Sequence, residues 1–324
     1  MDGIINVYKE QGYTSFDVVA KLRGILKERR IGHTGTLDPD AEGVLPVCIG
    51  SATKACELLL DKEKEYEAVL LLGMETDTQD ISGKVLNRQP VMVDSKEAVN
   101  ALMSFVGTYA QVPPMYSALK VNGRKLCDLA RQGKTIERAP RQVTIYSIKV
   151  LDSSFSCGAE DGREERGDEE KTICFRVVCS KGTYIRTLCE DVGKKLGCGG
   201  CMKSLRRIRV SSFTEACGHT LGEIEKICAA GRVEEILMPV DRLFLSYPAL
   251  YMRAGADASL YNGNKLREGE VVLEEAFAGE TGSRKDGWFR VYDSKGHFWA
   301  RSRYDLGEGC FRNVKMFVPG TKRV

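Results

Sequence analysis

The sequence of 324 residues predicts an α+β protein in two parts, and three observations lead there. Strand-like and helix-like segments interleave without a regular strand–helix–strand rhythm, which argues against a doubly wound parallel sheet. The chain is longer than one hydrophobic core comfortably fills, and a stretch bracketed by Pro239 and Pro248 reads as a linker. Beyond Pro248 the sequence becomes rich in glycine and short strand candidates, the pattern of a small β-barrel.

The elements follow in order. Gly3–Tyr8 reads as a short strand. Ser15 is a candidate cap for a helix whose apolar stripe is Phe16, Val19, Leu22 and Leu26. That helix ends in Lys27-Glu28-Arg29-Arg30, with cations near its negative end. Lys64–Leu72 alternates Tyr66, Ala68, Leu70 and Leu72 on one face, as a half-buried strand should. Val99, Leu102, Met103 and Val106 mark a helix. Gln142–Leu151 and Thr172–Cys179 are strands, the second alternating Ile173, Phe175, Val177 and Cys179. The acidic segment 160–171 between them is expected to be an exposed hairpin loop without a catalytic part. Tyr184–Leu196 carries Ile185, Leu188, Val192 and Leu196 at helical spacing, and Leu205–Phe213 returns to strand. Thr220 and Glu223 form a capping box ahead of Ile224 and Ile227. Trp288–Tyr292 and Phe298–Arg301 flank a turn at Asp293-Ser294-Lys295-Gly296, a hairpin signal.

Composition narrows the function classes. Hydrophobic residues make up 43% and charged residues 29%, the balance of an ordinary globular protein. No apolar run approaches the ~20 residues that span a bilayer, and the first residues carry no leader pattern, so a cytoplasmic protein is expected. The twelve cysteines are then read as reduced and mostly buried. Cys198-Gly199-Gly200-Cys201 raises zinc, but a structural zinc site needs about four ligands and no second pair completes one, so no metal is expected. Net charge is only +3, yet it is unevenly spread. Segments 115–149 and 181–210 each carry eight basic against two acidic residues, a net of +6 apiece, which favours a polyanionic partner.

The chemistry-bearing stretch is Gly32-His33-Thr34-Gly35-Thr36-Leu37-Asp38-Pro39-Asp40-Ala41-Glu42-Gly43. Glycines let backbone approach a ligand closely, and Pro39 pushes Asp38 out of helical conformation. The residues alone leave two readings open: an ordinary turn with an Asx cap, or a loop holding one carboxylate rigidly in a site.

Further blocks follow it: Lys64-Glu65-Tyr66, Thr76-Asp77-Thr78-Gln79-Asp80, Pro113-Pro114-Met115-Tyr116-Ser117-Ala118-Leu119-Lys120, Ser180-Lys181-Gly182-Thr183-Tyr184-Ile185-Arg186-Thr187 and Leu205-Arg206-Arg207. In order and spacing, over roughly residues 3 to 243, they resemble the TruB family of tRNA pseudouridine synthases. The resemblance implies a pseudouridine synthase catalytic domain over 1–240, with a mixed, mainly antiparallel sheet, flanking helices and an RNA-gripping insertion at about 113–143. More weakly, 248–324 resembles a PUA-like RNA-binding β-barrel.

It further implies isomerisation of a uridine in the tRNA T-arm (position 55) after base flipping, without a cofactor, guide RNA or obligate protein partner. Asp38 takes the role of catalytic carboxylate and Arg186 of its cationic partner. Tyr66 stacks on the target uracil, Tyr184 and Leu205 line the base pocket, and His33 helps hold the flipped nucleotide. Lys120, Arg124, Lys125 and Arg131 of the insertion, with Arg206 and Arg207, are the expected RNA contacts. Asp77 and Asp80 belong to a polar loop near the site and are not assigned to catalysis. The sequence departs from the family at Glu10, where Lys-Pro is usual, and at Cys201, where histidine often stands. A non-catalytic tRNA-binding chaperone is the alternative.

Overall fold

The computed structural model describes residues 1–121, 123–154, 170–274 and 287–318. Its first part is built on one nine-stranded sheet. The strand order is Gly3–Lys9, Glu42–Ile49, Gly200–Val210, Lys64–Leu72, Thr172–Cys179, Arg141–Ser154 and Gly107–Gln111, with Ile31–His33 and Phe213–Thr214 attached at the side. All of these pairs are antiparallel except Gly200–Val210 against Glu42–Ile49. Helix Ile185–Leu196 packs on one face, where Tyr66, Ala68, Leu70 and Leu72 join Ile173, Phe175, Val177 and Cys179 in the core. The two alternations in the sequence thus face the same helix.

Local chemistry moves several elements from their expected places. The first helix spans Ser15–Leu26, but its cap is Thr14, which exchanges bonds with Asp17 in a capping box. Ser15 instead turns inward and binds Leu37. Phe16 is 66% exposed, and Val18 takes its place on the buried stripe. The helix expected through Val106 ends at Met103, and both residues are exposed, because Ala98, Ala101 and Leu102 form the buried face. The helix near 185 starts after Tyr184, and the capping box at Thr220 and Glu223 forms as expected. Of the acidic segment, 160–169 lies outside the described residues.

The stretch between Pro239 and Pro248 is no loose linker. Val240–Phe244 is a 3₁₀ turn, and the Phe244 ring packs 5.9 Å from those of Phe298 and Phe317. Beyond it, six strands form a nearly closed, barrel-like sheet in the order Leu266–Arg267, Cys310–Met316, Phe298–Asp305, Trp288–Tyr292, Ala249–Met252 and Val271–Leu273. The expected hairpin across Asp293–Gly296 is part of it. No helix among the described residues is long and apolar enough to cross a membrane.

Candidate active site

Asp38 leaves the sheet between strands Ile31–His33 and Glu42–Ile49, and the N-terminal strand and helix hold its loop from below. The Leu37 N–H donates to Ser15 Oγ at 2.9 Å, and the Gly12 N–H donates to the Pro39 carbonyl at 2.9 Å. Lys9 ends a strand that is buried along most of its length, and is itself fully buried. Its ammonium donates to the carbonyls of Glu10 and Pro39 at 3.1 Å and of Ala41 at 2.5 Å. Burial lowers its pKa to about 8. This clamp was not assigned in the sequence. A lysine closing a mostly apolar strand was the available signal.

Arg186 approaches from the first turn of helix Ile185–Leu196. Its guanidinium grips the Asp38 carboxylate with two bonds, Nε to Oδ2 at 3.0 Å and Nη2 to Oδ1 at 3.1 Å. Its other N–H groups reach the Tyr116 carbonyl at 2.9 Å, the Thr78 carbonyl at 3.0 Å and Asp80 Oδ2 at 3.5 Å. All five donors of the fork are therefore engaged, which fixes its plane. The Arg186 side chain is 6% exposed and that of Asp38 34%, so the anion faces outward with its cation behind it. Burial raises the Asp38 pKa above the ordinary carboxylate value; Arg186 works against this and Asp80 adds to it. Asp77 only closes its own turn by accepting the Lys84 N–H at 2.8 Å.

A cavity of about 640 Å³ opens over Asp38, with Asp80, Leu205 and Arg206 in its wall. Leu205 and Tyr66 lie in one apolar cluster with Leu37. Tyr184 precedes the helix that carries Arg186, and its backbone is fixed by both ends of the Gln111 amide, at 2.8 and 3.0 Å. Burial raises the pKa of Tyr66 and of Tyr184, keeping both phenols neutral. His33 is not in the lining of that cavity; its Nδ1 accepts the Gly35 N–H at 3.4 Å, and burial lowers its pKa. The structure thus brings Asp38 and Leu205 to one cavity, with Arg186 behind Asp38 and Tyr66 in the apolar cluster that holds Leu205.

The expected RNA contacts divide. Arg207 has no exposed surface and donates to the carbonyls of Val44 at 2.7 Å and Gly35 at 3.3 Å, so it cannot meet a phosphate. Its backbone also explains Gly43, where a Cβ would fall 2.3 Å from the Arg207 oxygen. Arg206 is paired to Glu67 at 2.8 Å and Glu215 at 3.5 Å. By contrast Lys120, Arg124, Lys125 and Arg131 are all exposed. They stand on a hairpin, Lys120–Val121 with Arg124–Lys125, and on the six-residue helix that follows it. Cys198 and Cys201 are buried, and no three His, Cys, Asp or Glu among the described residues are grouped to hold a metal ion.

Comparison with known proteins agrees with this architecture. The chain is 26% identical to a protein in a crystal structure of a Cbf5–Nop10–Gar1 complex, with a TM-score of 0.67 over 98% of this chain and 85% of that one. A structure of the archaeal box H/ACA sRNP Nop10–Cbf5 complex, at 24% identity and a TM-score of 0.65, shares the fold. Fold and site together define a pseudouridine synthase. Residues 23–185 match the N-terminal domain model of TruB family pseudouridylate synthases, and 186–245 the C-terminal domain model of tRNA pseudouridylate synthase B. Curated relatives named tRNA pseudouridine synthase B include one from Lachnoclostridium phytofermentans, 52% identical over 98% of this chain and all of its own length. Another, from Alkaliphilus oremlandii, is 46% identical over 84% of this chain and 85% of its own. The chain belongs to the TruB family and is a tRNA pseudouridine synthase, an isomerase.

Proposed function

We propose that this synthase isomerises the uridine at position 55 in the T-arm of tRNA, with Asp38 as the catalytic carboxylate acting on a flipped-out nucleotide. The observation that carries the reading is the two-bonded grip of Arg186 on Asp38, whose carboxylate side chain lines an open cavity. Pseudouridine formation breaks the bond from ribose to uracil N1 and makes one to C5; C5 loses a proton and N1 gains one, so nothing is oxidised or reduced. Such a reaction calls for an ionised group beside the glycosidic bond and walls that keep the detached base in place and water out. Arg186 favours the ionised form of Asp38 where burial alone would oppose it. Leu205 and Tyr66, which share one apolar cluster, offer apolar and aromatic surface to the uracil in this reading, in which Tyr184 borders the pocket and His33 contacts the flipped nucleotide.

The base lies inside folded tRNA, which is read largely through shape and phosphates. The exposed cations Lys120, Arg124, Lys125 and Arg131 suit the T-arm backbone, with Arg206 at the cavity wall beside the reacting nucleotide. Residues 1–240 are proposed as the catalytic domain, with its insertion at about 113–143, and the sheet of 248–324 as a second RNA-binding domain. A cytoplasmic enzyme acting alone on tRNA completes the reading.

The test is Asp38→Asn, nearly isosteric but unable to carry the charge. The variant is expected to bind a tRNA transcript like wild type and to form no pseudouridine. Pseudouridine formed near the wild-type rate would remove Asp38 from the chemistry and favour another group in the cavity.

A further inference from the structure

We propose that Gln79 is a positioning residue for the isomerisation: its side-chain amide, held between Thr187 and Glu190 on the helix that carries Arg186, sets where Thr78 and Asp80 meet that arginine. This rests on the reading of Asp38 as the reacting carboxylate.

Gln79 has φ of 67°, a left-handed conformation that side chains other than those of glycine, asparagine and aspartate seldom adopt. Both ends of its amide are used. Thr187 Oγ1 donates to Gln79 Oε1 at 2.7 Å, and Gln79 Nε2 donates to Glu190 Oε2 at 2.6 Å. The backbone is pinned as well: the Met202 N–H donates to the Gln79 carbonyl at 2.9 Å. On either side of Gln79 stand the two residues that touch Arg186 Nη1, Thr78 through its carbonyl at 3.0 Å and Asp80 through Oδ2 at 3.5 Å. Thr78 Oγ1 donates to Asp80 Oδ1 at 2.7 Å, and Thr76 Oγ1 donates to the Asp80 carbonyl at 2.6 Å, closing residues 76–80 into an arch. The middle residue of 78–80 is thus tied one and four positions after Arg186 on its own helix, while its neighbours hold Arg186 directly. Displacement of the arch turns the guanidinium plane and spoils its two-bonded fit to Asp38, a geometry tolerant of only small error.

If position 79 supplied only a left-handed backbone, glycine or asparagine would serve as well. Neither reaches both Thr187 and Glu190. The experiment compares Gln79→Gly and Gln79→Asn with wild type in single-turnover pseudouridine formation across pH, with tRNA affinity and thermal midpoint measured alongside. Both variants are expected to fold and bind tRNA normally yet react about tenfold more slowly. Their acid limb should also move to higher pH, because Asp38, faced by Arg186, Asp80, Lys9 and Asp40, loses part of the hold of its main cation. Wild-type rates in both variants, or slower rates with an unmoved limb, would overturn the proposal. Asp38→Asn run in the same assay separates the two claims: activity there contradicts the assignment of Asp38 rather than the part given to Gln79.

Discussion

Segments 115–149 and 181–210 carry the same formal charge, +6 each, and the fold partners their cations differently. In the second, Lys181, Arg186, Lys194, Lys203, Arg206 and Arg209 are all in ion pairs, and Arg207 is buried on backbone carbonyls. In the first, Arg131 with Asp128 is the one ion pair among the described residues, and every basic side chain but Arg138 is exposed. The second segment spends most of its cations on partners within the fold, Arg186 and Arg207 among them buried. The first is left with exposed and, among the described residues, mostly unpaired charge, the property a polyanionic partner would use. Net charge along a sequence shows that cations are present. Their partners come from strand register: Arg206 lies opposite Glu67 and Arg209 opposite Glu65 across the sheet.

This contrast can be broken most severely at Arg186. Lysine there keeps the charge and loses the fork, so Arg186→Lys is expected to lower kcat by about 10²–10³-fold. On the role proposed for Asp38, activity needs its ionised form, and without the fork burial holds its proton to higher pH; the acid limb of the rate profile is therefore expected to move up. An unmoved limb in a pH–rate series would mean that the pair does not govern Asp38. Next in size, Arg207→Ala removes the bonds to Val44 and Gly35 and leaves a cavity, for a loss of about 3 kcal/mol in urea unfolding. Wild-type stability would put Arg207 outside the framework. The smallest effect is expected at the surface pairs. Lys181→Ala and Lys203→Ala each break one exposed ion pair and should cost under about 1 kcal/mol in the same titration.

The legible parts of the fold were those written in short-range periodicity. The alternation from Tyr66 to Leu72, and that from Ile173 to Cys179, located two central strands and the face they bury. Caps were less legible, because Thr14 and Ser15 are both good cap residues, and only the position of Leu37 decides that Ser15 turns inward. The burial of Arg207 was hidden for a related reason. Parallel pairing of its strand with Glu42–Ile49 sends it beneath Gly35, and nothing in Leu205-Arg206-Arg207 announces that. The pairing of Asp38 with Arg186 was legible through motif order. The clamp by Lys9 and the arch at Gln79 join residues from four separate segments, which sequence order does not reveal.

The division between the two segments is tested most directly by the salt dependence of tRNA affinity, measured by filter binding for wild type and two triple variants. Removing Lys120, Arg124 and Lys125 together is expected to weaken binding and to flatten the slope of log K against log salt by about 2 to 3, since each lost phosphate contact releases fewer counterions. Removing Lys181, Lys194 and Lys203, equal in charge but already paired, should leave the slope within about 0.5 of wild type. Equal slopes for both triple variants, or a flattening confined to the second, would contradict the account.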